Sequence, residues 1–303
     1  MPKTFMRHGH NTESHKLPMT HVTIHEVGPR DGLQNEKGVI GVADKVALID
    51  LLSTSGLTDI EVGSFVSPKW VPQMANTDAV LREMKQVAGC RYALLVPNMR
   101  GWDGFAPFIG GPYEIAVFIS ASEGFSQANL NCSVAESVER LKPVVAAALE
   151  AGVPIRGYVS CVAVCPFDGP TDPQAVVQAV GLLRDLARMQ ISLGDTIGTG
   201  TPKQIETMLK AVIQYTAADQ LAGHFHDTSG QALNNIGVAL DVGVRHFDSA
   251  VGGLGGCPYA PGAPGNVATE AVLTYVENRG FQTGVDPAII AQAAAMAKQM
   301  RGT

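Results

Sequence analysis

The chain has 303 residues, of which 46% are hydrophobic and 17% charged, enough to bury one large core or two of ordinary size. Its formal net charge of −6 argues against general nucleic-acid binding, and no apolar run approaches the roughly 18 residues that cross a bilayer. Five cysteines without paired CxxC clusters indicate free thiols in a reducing compartment, so we expect a cytoplasmic protein. Cys161 and Cys165, spaced CxxxC, are interpreted as structural thiols.

Residues 1–20 are polar and contain His8, His10 and His15 without periodic spacing. This composition predicts a flexible N-terminal arm, and metal binding by the three histidines is the alternative.

From residue 22 onward, short β-type runs alternate with longer helical patterns. The helical patterns at 42–56, 133–152 and 201–216 are typical of helices that open with a Ser, Thr or Asp cap, and several close at Gly. Strands are predicted at residues 21–27, 58–65, 91–98, 114–120, 154–161, 190–195, 220–227 and 245–251.

Eight strand–helix units without a linker favour one α/β domain, a (β/α)₈ (TIM) barrel over residues 21–303, rather than a doubly wound sheet. The weakest unit is the third, where the irregular WDGFAPFIGGPYE follows the strand at 91–98. Residues 285–300, VDPAIIAQAAAMAKQM, predict an additional C-terminal helical segment that covers the barrel or a partner subunit.

Active sites of such barrels lie at the carboxyl ends of the strands. The sequence places an unusual set of polar residues there, so one rim of the barrel is the expected site. These residues are Arg30 and Asp31 (strand 1), Glu61 and Ser64 (strand 2), Asn98 (strand 3), Asp195 (strand 6), His224, His226 and Asp227 (strand 7), and Cys257 and Asn266 (after strand 8).

His224 and His226 are spaced i, i+2 on a strand, so both side chains project from one face and could share an ion. The alternative is a pair of partly buried histidines bonded to backbone carbonyls. Asp31 and Asn266 would add two oxygen ligands at the same rim. Two imidazoles and two oxygens without a thiolate suit Mg²⁺ or Mn²⁺, with Zn²⁺ or Co²⁺ as alternatives.

Arg30 cannot act as a base at neutral pH, but it can stabilise an oxyanion such as an enolate. Its alternative role is a structural pair with a carboxylate such as Glu61.

Asp195 precedes a Gly-rich turn and is either a catalytic or supporting carboxylate or a helix cap. The loop at 252–266, GGLGGCPYAPGAPGN, predicts a lid that brings Cys257 to the site when it closes, against the alternative of an inert loop cysteine.

Six motifs carry a resemblance to a known family: VGPRDGLQNE, SFVSPKWVPQMAN, RGYVSC, SLGDTIG, HFHDTSGQAL and the cysteine loop. Together they resemble the 3-hydroxy-3-methylglutaryl-CoA (HMG-CoA) lyases, members of a metal-dependent barrel superfamily that includes isopropylmalate and homocitrate synthases. The resemblance covers roughly residues 22–285 and leaves out the N-terminal arm. It implies cleavage of an acyl-CoA, HMG-CoA, to acetyl-CoA and acetoacetate by a homodimer.

The resemblance also implies roles for individual residues. A divalent cation would be held by Asp31, His224, His226 and Asn266. Arg30 and Cys257 would be catalytic. From their chemistry, Arg30 would stabilise the enolate and Cys257 would transfer a proton near C2; a metal-adjacent water, Asp31 or, as a poor base once ligated, His224 would take the first proton. Further catalytic carboxylates would be Glu61 and Asp195, and residues near the substrate or behind the site would be Gln34, Ser64, Asn98, Ser192 and Glu270.

Two departures from the family pattern bear on specificity and location. Ser229 stands where animal members have tyrosine, and their C-terminal peroxisomal targeting tripeptide is absent, which fits a bacterial-type cytoplasmic enzyme. Related lyases accept longer branched hydroxyglutaryl-CoA thioesters or citramalyl-CoA. Lys37 and Lys69 are candidates for contacts to the CoA phosphates.

Two other classes of protein would use some of the same residues. A Claisen-type synthase would share the RD and HxH elements, but it would not need the cysteine loop and commonly carries an extra regulatory domain. A catalytically silent barrel that senses a metal or CoA would be free to lose the site residues, and this chain retains them.

Overall fold

The computed structural model describes residues 20–36, 38, 40–257 and 260–301, without the side chains of Cys257 and residues 260–264. The predicted arm at 1–20 lies outside the described residues except for Thr20. Lys37 and the thiol of Cys257 lie outside them too.

Eight parallel strands close into a barrel in which each strand pairs with its sequence neighbours and the last pairs with the first, which confirms the (β/α)₈ prediction. All eight predicted strands are present, and their ends differ from the predicted ones by at most three residues. They are β1 (Thr23–Glu26), β2 (Asp59–Ser64), β3 (Arg91–Leu95), β4 (Tyr113–Ser120), β5 (Ile155–Ser160), β6 (Gln190–Asp195), β7 (Leu221–Phe225) and β8 (His246–Ser249).

Helices surround the barrel, and side-chain caps define several of their first turns. The helix Val134–Glu150 begins at a capping box formed by Ser133 and Glu136, and the helix Pro202–Val212 at one formed by Thr201 and Gln204. The helices are α1 (Val42–Ser53), α2 (Thr77–Glu83), α3 (Met99–Phe105), α4 (Glu123–Leu130), α5 (Val134–Glu150), α6 (Pro173–Leu186), α7 (Pro202–Val212), α8 (Ala232–Asp241), α9 (Thr269–Asn278) and α10 (Pro287–Arg301). No helix in these ranges has the length and apolar character needed to cross a membrane.

The irregular segment after β3 contains the short helix α3 and a 3₁₀ turn. Asn98 caps α3 by accepting a hydrogen bond from the Gly101 N–H at 3.0 Å. The segment is helical although its sequence shows no apolar periodicity, and the Asn98 cap stabilises its first turn.

The barrel interior contains paired charged side chains beside a small apolar cluster. Arg91 pairs with Asp59 at 2.6 Å and with Glu114 at 3.6 Å, and Arg156 pairs with Asp248 at 2.5 Å. The main hydrophobic core therefore lies between the outward faces of the strands and the helices. Pairing each interior charge avoids the large cost of burying an isolated ion.

The helix α10 packs against α1 and against the turn Val251–Gly253 of its own chain. The Arg301 guanidinium at its end donates to the backbone carbonyls of Gly253 at 2.6 Å and Gly255 at 2.8 Å, and it pairs with Glu36 at 2.9 Å. The predicted C-terminal helix thus holds the base of the Gly-rich loop.

The Gly-rich loop itself contains a small antiparallel hairpin, Gly256–Cys257 paired with Ala260–Pro264. Its base turns through Gly255, whose φ of +103° favours glycine. The loop predicted to be a lid therefore contains a hairpin, and its closure remains a prediction.

Glu26 is a buried carboxyl group whose ionisation should destabilise the fold. It accepts hydrogen bonds from the N–H groups of Gly28 and Val251 and from the Thr269 hydroxyl, yet burial raises its pKa to about 7. Because this pKa exceeds the unfolded value, the stability contributed by the protonated form is lost as pH rises from about 4 through 7.

We therefore expect Glu26→Gln to be more stable than the unmodified protein at pH 8, by up to about 3 kcal/mol, with the gap narrowing toward pH 5. The glutamine keeps an oxygen for the two backbone N–H groups. Urea unfolding at pH 5, 6.5 and 8 measures the free-energy difference. An equal difference at all three values would show that Glu26 does not titrate with folding.

Candidate metal and active site

A cavity of about 650 Å³ opens at the carboxyl ends of the barrel strands. Six of the predicted site residues line it, so the structure brings them together. They are Arg30, Asp31, Gln34, Asn98, His224 and His226.

Arg30 and Asp31 lie in a π-helical turn, Gly28–Gly32, that directly follows β1. The guanidinium of Arg30 is buried and donates to Asp31 at 2.7 Å and to Glu61 at 2.6 Å. Burial alone would lower the pKa of Arg30, but Glu61 and Asp31 outweigh it and raise that pKa, so the side chain is a permanent cation. The structural pair with Glu61 is therefore present, and the side chain also faces the cavity, where stabilisation of an oxyanion remains a prediction.

Asp31, His224 and His226 present a compact set of donor atoms, each within 4.8 Å of the others. The two imidazole Nε2 atoms are 3.2 Å apart, and His224 Nε2 lies 3.9 Å from Asp31 Oδ2. Burial opposes ionisation of Asp31, but Arg30 and the imidazoles hold its pKa at about 2, and burial lowers the pKa of His226 to about 4. One carboxylate and a neutral imidazole are therefore available at neutral pH, as a divalent cation requires.

His224 is oriented from behind by a carboxylate that the sequence analysis missed. Asp248 on β8 accepts from His224 Nδ1 at 3.1 Å and from the Ser192 hydroxyl at 2.7 Å, while Arg156 neutralises its other oxygen. Burial lowers the pKa of His224, but the hydrogen bond to Asp248 and the charges of Asp248 and Asp31 outweigh it and raise that pKa. In the neutral form, a proton on Nδ1 leaves the lone pair of His224 on Nε2, beside His226 and Asp31. The predicted residue Ser192 thus lies behind the site.

Asn266 lies next to Asp31 at the end of the Gly-rich loop. Its amide nitrogen is 2.7 Å from Asp31 Oδ2, and its backbone forms a bridge with His226. Rotation of the amide would present its oxygen to the same space, so the position fits the predicted role of a fourth ligand.

Three predicted residues support neighbouring backbone and do not line the cavity. Asp195, whose pKa burial raises to about 6, accepts from the Gly200 N–H at 2.9 Å and so holds the loop after β6. Glu270 accepts from the N–H of Gly252 at 2.9 Å. The Ser64 hydroxyl accepts from the N–H of Val66 at 3.2 Å, beneath the cavity wall.

Tyr158 is a cavity residue that the sequence analysis did not single out, although it lies in the quoted motif RGYVSC. Its hydroxyl donates to Glu61 at 3.1 Å, and its ring meets the His224 ring edge to face at 6.2 Å. The only signal in the sequence was its place on the inward face of β5, two residues after Arg156.

Known proteins are similar to this chain in sequence and fold. A family model described as HMGL-like matches residues 21–297. Hydroxymethylglutaryl-CoA lyase from Pseudomonas mevalonii is 50% identical over 285 residues, 94% of each chain. The 3-hydroxy-3-isohexenylglutaryl-CoA/hydroxy-methylglutaryl-CoA lyase of Pseudomonas aeruginosa is 52% identical over 265 residues, 88% of each chain. The crystal structure of the HMG-CoA lyase from Brucella melitensis has 53% identity and a TM-score of 0.91, covering 93% of this chain and 99% of that chain.

Proposed function

Because the chain belongs to the HMGL-like family, we propose that it is a carbon–carbon lyase that cleaves HMG-CoA to acetyl-CoA and acetoacetate. The observation that carries this proposal is the donor set of Asp31, His224 and His226 beside the buried cation Arg30, all at one cavity. The synthase and sensor alternatives have no comparable support, since the relatives at about 50% identity are lyases.

The proposed cofactor is Mg²⁺ or Mn²⁺, with Zn²⁺ or Co²⁺ as alternatives, held by Asp31, His224, His226 and Asn266. Bound there, a divalent cation would lower the pKa of the substrate's 3-hydroxyl and fix its orientation. The donor set of one carboxylate and two imidazoles is compatible with Mn²⁺ and equally with Zn²⁺ or Co²⁺.

The bond changes of the proposed reaction assign a task to each nearby group. Loss of the 3-hydroxyl proton lets the oxygen form the ketone of acetoacetate as the C2–C3 bond breaks, and the electron pair of that bond becomes the thioester enolate. Arg30 would stabilise the enolate oxygen, and Cys257 is proposed to deliver the proton to C2 that completes acetyl-CoA. The first proton acceptor would be a metal-adjacent water or Asp31, because a His224 imidazole that binds the metal and Asp248 is a poor base.

The acyl-CoA would extend from this centre along the cavity toward its outer end. The exposed lining residues Arg140 of α5, Asn129 and Trp70, whose indole is 86% exposed, lie there. These groups suit the polyanionic CoA better than Lys69, which does not line the cavity. The homodimer and a cytoplasmic location remain predictions.

The decisive experiment measures product formation from HMG-CoA by protein stripped of metal with a chelator, with and without added Mg²⁺ or Mn²⁺. We expect metal-restored release of acetoacetate and acetyl-CoA, largely lost in Cys257→Ala. Absence of cleavage in the presence of bound metal would refute HMG-CoA as the substrate.

The orientation of His224 by Asp248 can be tested separately. Asp248→Asn keeps an oxygen for Arg156 but turns an N–H₂ group toward His224 Nδ1, so the imidazole proton should move to Nε2. We expect Mn²⁺ affinity to fall roughly 10- to 100-fold, measured by electron paramagnetic resonance titration. Ser192→Ala, which removes only one hydrogen bond to Asp248, is the control with a smaller expected loss. Unchanged affinity in Asp248→Asn would show that the carboxylate does not select the tautomer.

A further inference from the structure

One side of the cavity is apolar and consists of four side chains that form a separate small cluster inside the barrel. We call this surface the apolar wall and define it as Val66, Leu95, Phe118 and Tyr158, which pack together above Ala116. Leu95 pairs in register with Ala116, and Phe118 with Tyr158, so the wall runs across three adjacent strands, β3, β4 and β5.

The wall lies opposite the donor set in the ring of eight strands. In the closed barrel β3, β4 and β5 are each four strands away from β7, β8 and β1, the elements that lead to His224, Asn266 and Asp31. Tyr158 belongs to both sides: its ring packs in the wall, and its centroid lies 6.2 Å from that of the His224 ring in an edge-to-face arrangement. A ligand held by the donor set therefore faces the wall directly.

In HMG-CoA, the substrate of the proposed function, only one substituent of the reacting carbon C3 has no polar atoms, and this is the alkyl branch. The hydroxyl, the carboxylate and the thioester oxygen at and around C3 all need polar partners, which Arg30 and the donor set offer. The alkyl branch at C3 gains free energy only where it is removed from water by apolar side chains.

On this basis we propose that the apolar wall binds the C3 alkyl branch and that Phe118 and Leu95 set the branch length that the enzyme accepts. The proposal rests on the proposed lyase function. It assigns to these two side chains the discrimination between HMG-CoA and longer branched hydroxyglutaryl-CoA thioesters. One such thioester appears in the name of a relative with 52% identity.

The wall, and not Ser229, is thereby identified as the source of acyl selectivity. Ser229 is exposed and does not line the cavity, and its hydroxyl donates to the backbone carbonyl of Gly198. Its side chain supports the loop after β6. The departure from the family pattern at this position therefore lies outside the branch-binding surface.

The test compares kcat/KM for HMG-CoA and for 3-hydroxy-3-isohexenylglutaryl-CoA in the metal-loaded protein. Phe118→Ala and Leu95→Ala should each raise the ratio in favour of the longer branch by at least roughly tenfold, the scale of one added methylene in an apolar pocket. Phe118→Trp should change the ratio in the opposite direction.

The matched control is Phe125→Ala, because Phe125 lines the same cavity from α4 and is outside the wall. We expect this variant to alter kcat/KM for both thioesters by the same factor, and thermal unfolding of every variant verifies that it is folded. Equal changes for both substrates in the Phe118 and Leu95 variants would overturn the assignment and indicate contact with the shared pantetheine arm. If the unmodified protein cleaves neither thioester, the proposed function fails and this assignment fails with it.

Discussion

Replacing Arg30 with lysine is expected to lower kcat for HMG-CoA by roughly 10²- to 10³-fold, the cost of removing one donor to a developing oxyanion. The guanidinium binds Asp31 and Glu61 through two separate nitrogens, while its buried Nε has no partner among the described residues. A lysine ammonium keeps the positive charge but cannot hold both carboxylates and still reach a third oxygen in a fixed geometry.

The split between kinetic constants distinguishes this role from a structural one. In Arg30→Lys, KM and Mn²⁺ affinity should change much less than kcat, because the charge that balances Asp31 and Glu61 is retained. Arg140→Lys, at the outer end of the cavity, is the control, and we expect it to raise KM with little change in kcat. A kcat close to that of the unmodified enzyme in Arg30→Lys would exclude a stabilising contact with the enolate.

The positions of the site residues could be predicted because the carboxyl ends of all eight strands lie at the same face of the barrel. Arg30, Asp31, His224 and His226 each follow or end a recognisable strand, and they meet in one cavity as expected. The apolar and β-branched runs that defined the strands are also the residues that pack outward against helices, so pattern and packing agree.

The supporting residues could not be predicted because their role depends on contacts across the barrel. Asp248 and Arg156 lie within strands, and the sequence gives no sign that the carboxylate bonds His224 while the guanidinium balances its charge. Interior charges are exceptions to the aliphatic filling that barrels usually have. Asp195 shows the same limit, since both a catalytic carboxylate and a loop cap fit a strand end.

Loop structure was predictable only in part. The glycines and prolines at 252–266 predicted a lid, but neither the hairpin nor the contact of Arg301 with its base followed from composition. Pairing of Gly256 with Pro264 and the bond from Arg301 to the Gly253 carbonyl join segments that are 8 and 48 residues apart. Such contacts depend on the completed fold and leave no local pattern.

Removing one imidazole should have the largest effect on metal binding. We expect His226→Ala to lower Mn²⁺ affinity by more than the roughly 10- to 100-fold that loss of a supporting group costs, and to abolish HMG-CoA cleavage at ordinary metal concentrations. The reason is that only Asp31 and His224 would remain of the three donor atoms that lie within 4.8 Å of one another.

Stability and chemical rescue separate this loss from unfolding. His226 lines the solvent-filled cavity, so the alanine variant should unfold at nearly the same urea concentration in the absence of metal. Added imidazole should restore part of the Mn²⁺ signal, because the cavity can admit a small heterocycle beside His224. His21→Ala, at the opposite end of the barrel, is the control and should bind Mn²⁺ normally. Normal Mn²⁺ affinity in His226→Ala would show that this histidine is not a metal ligand. It would favour the alternative interpretation of the HxH motif as a pair of partly buried structural histidines.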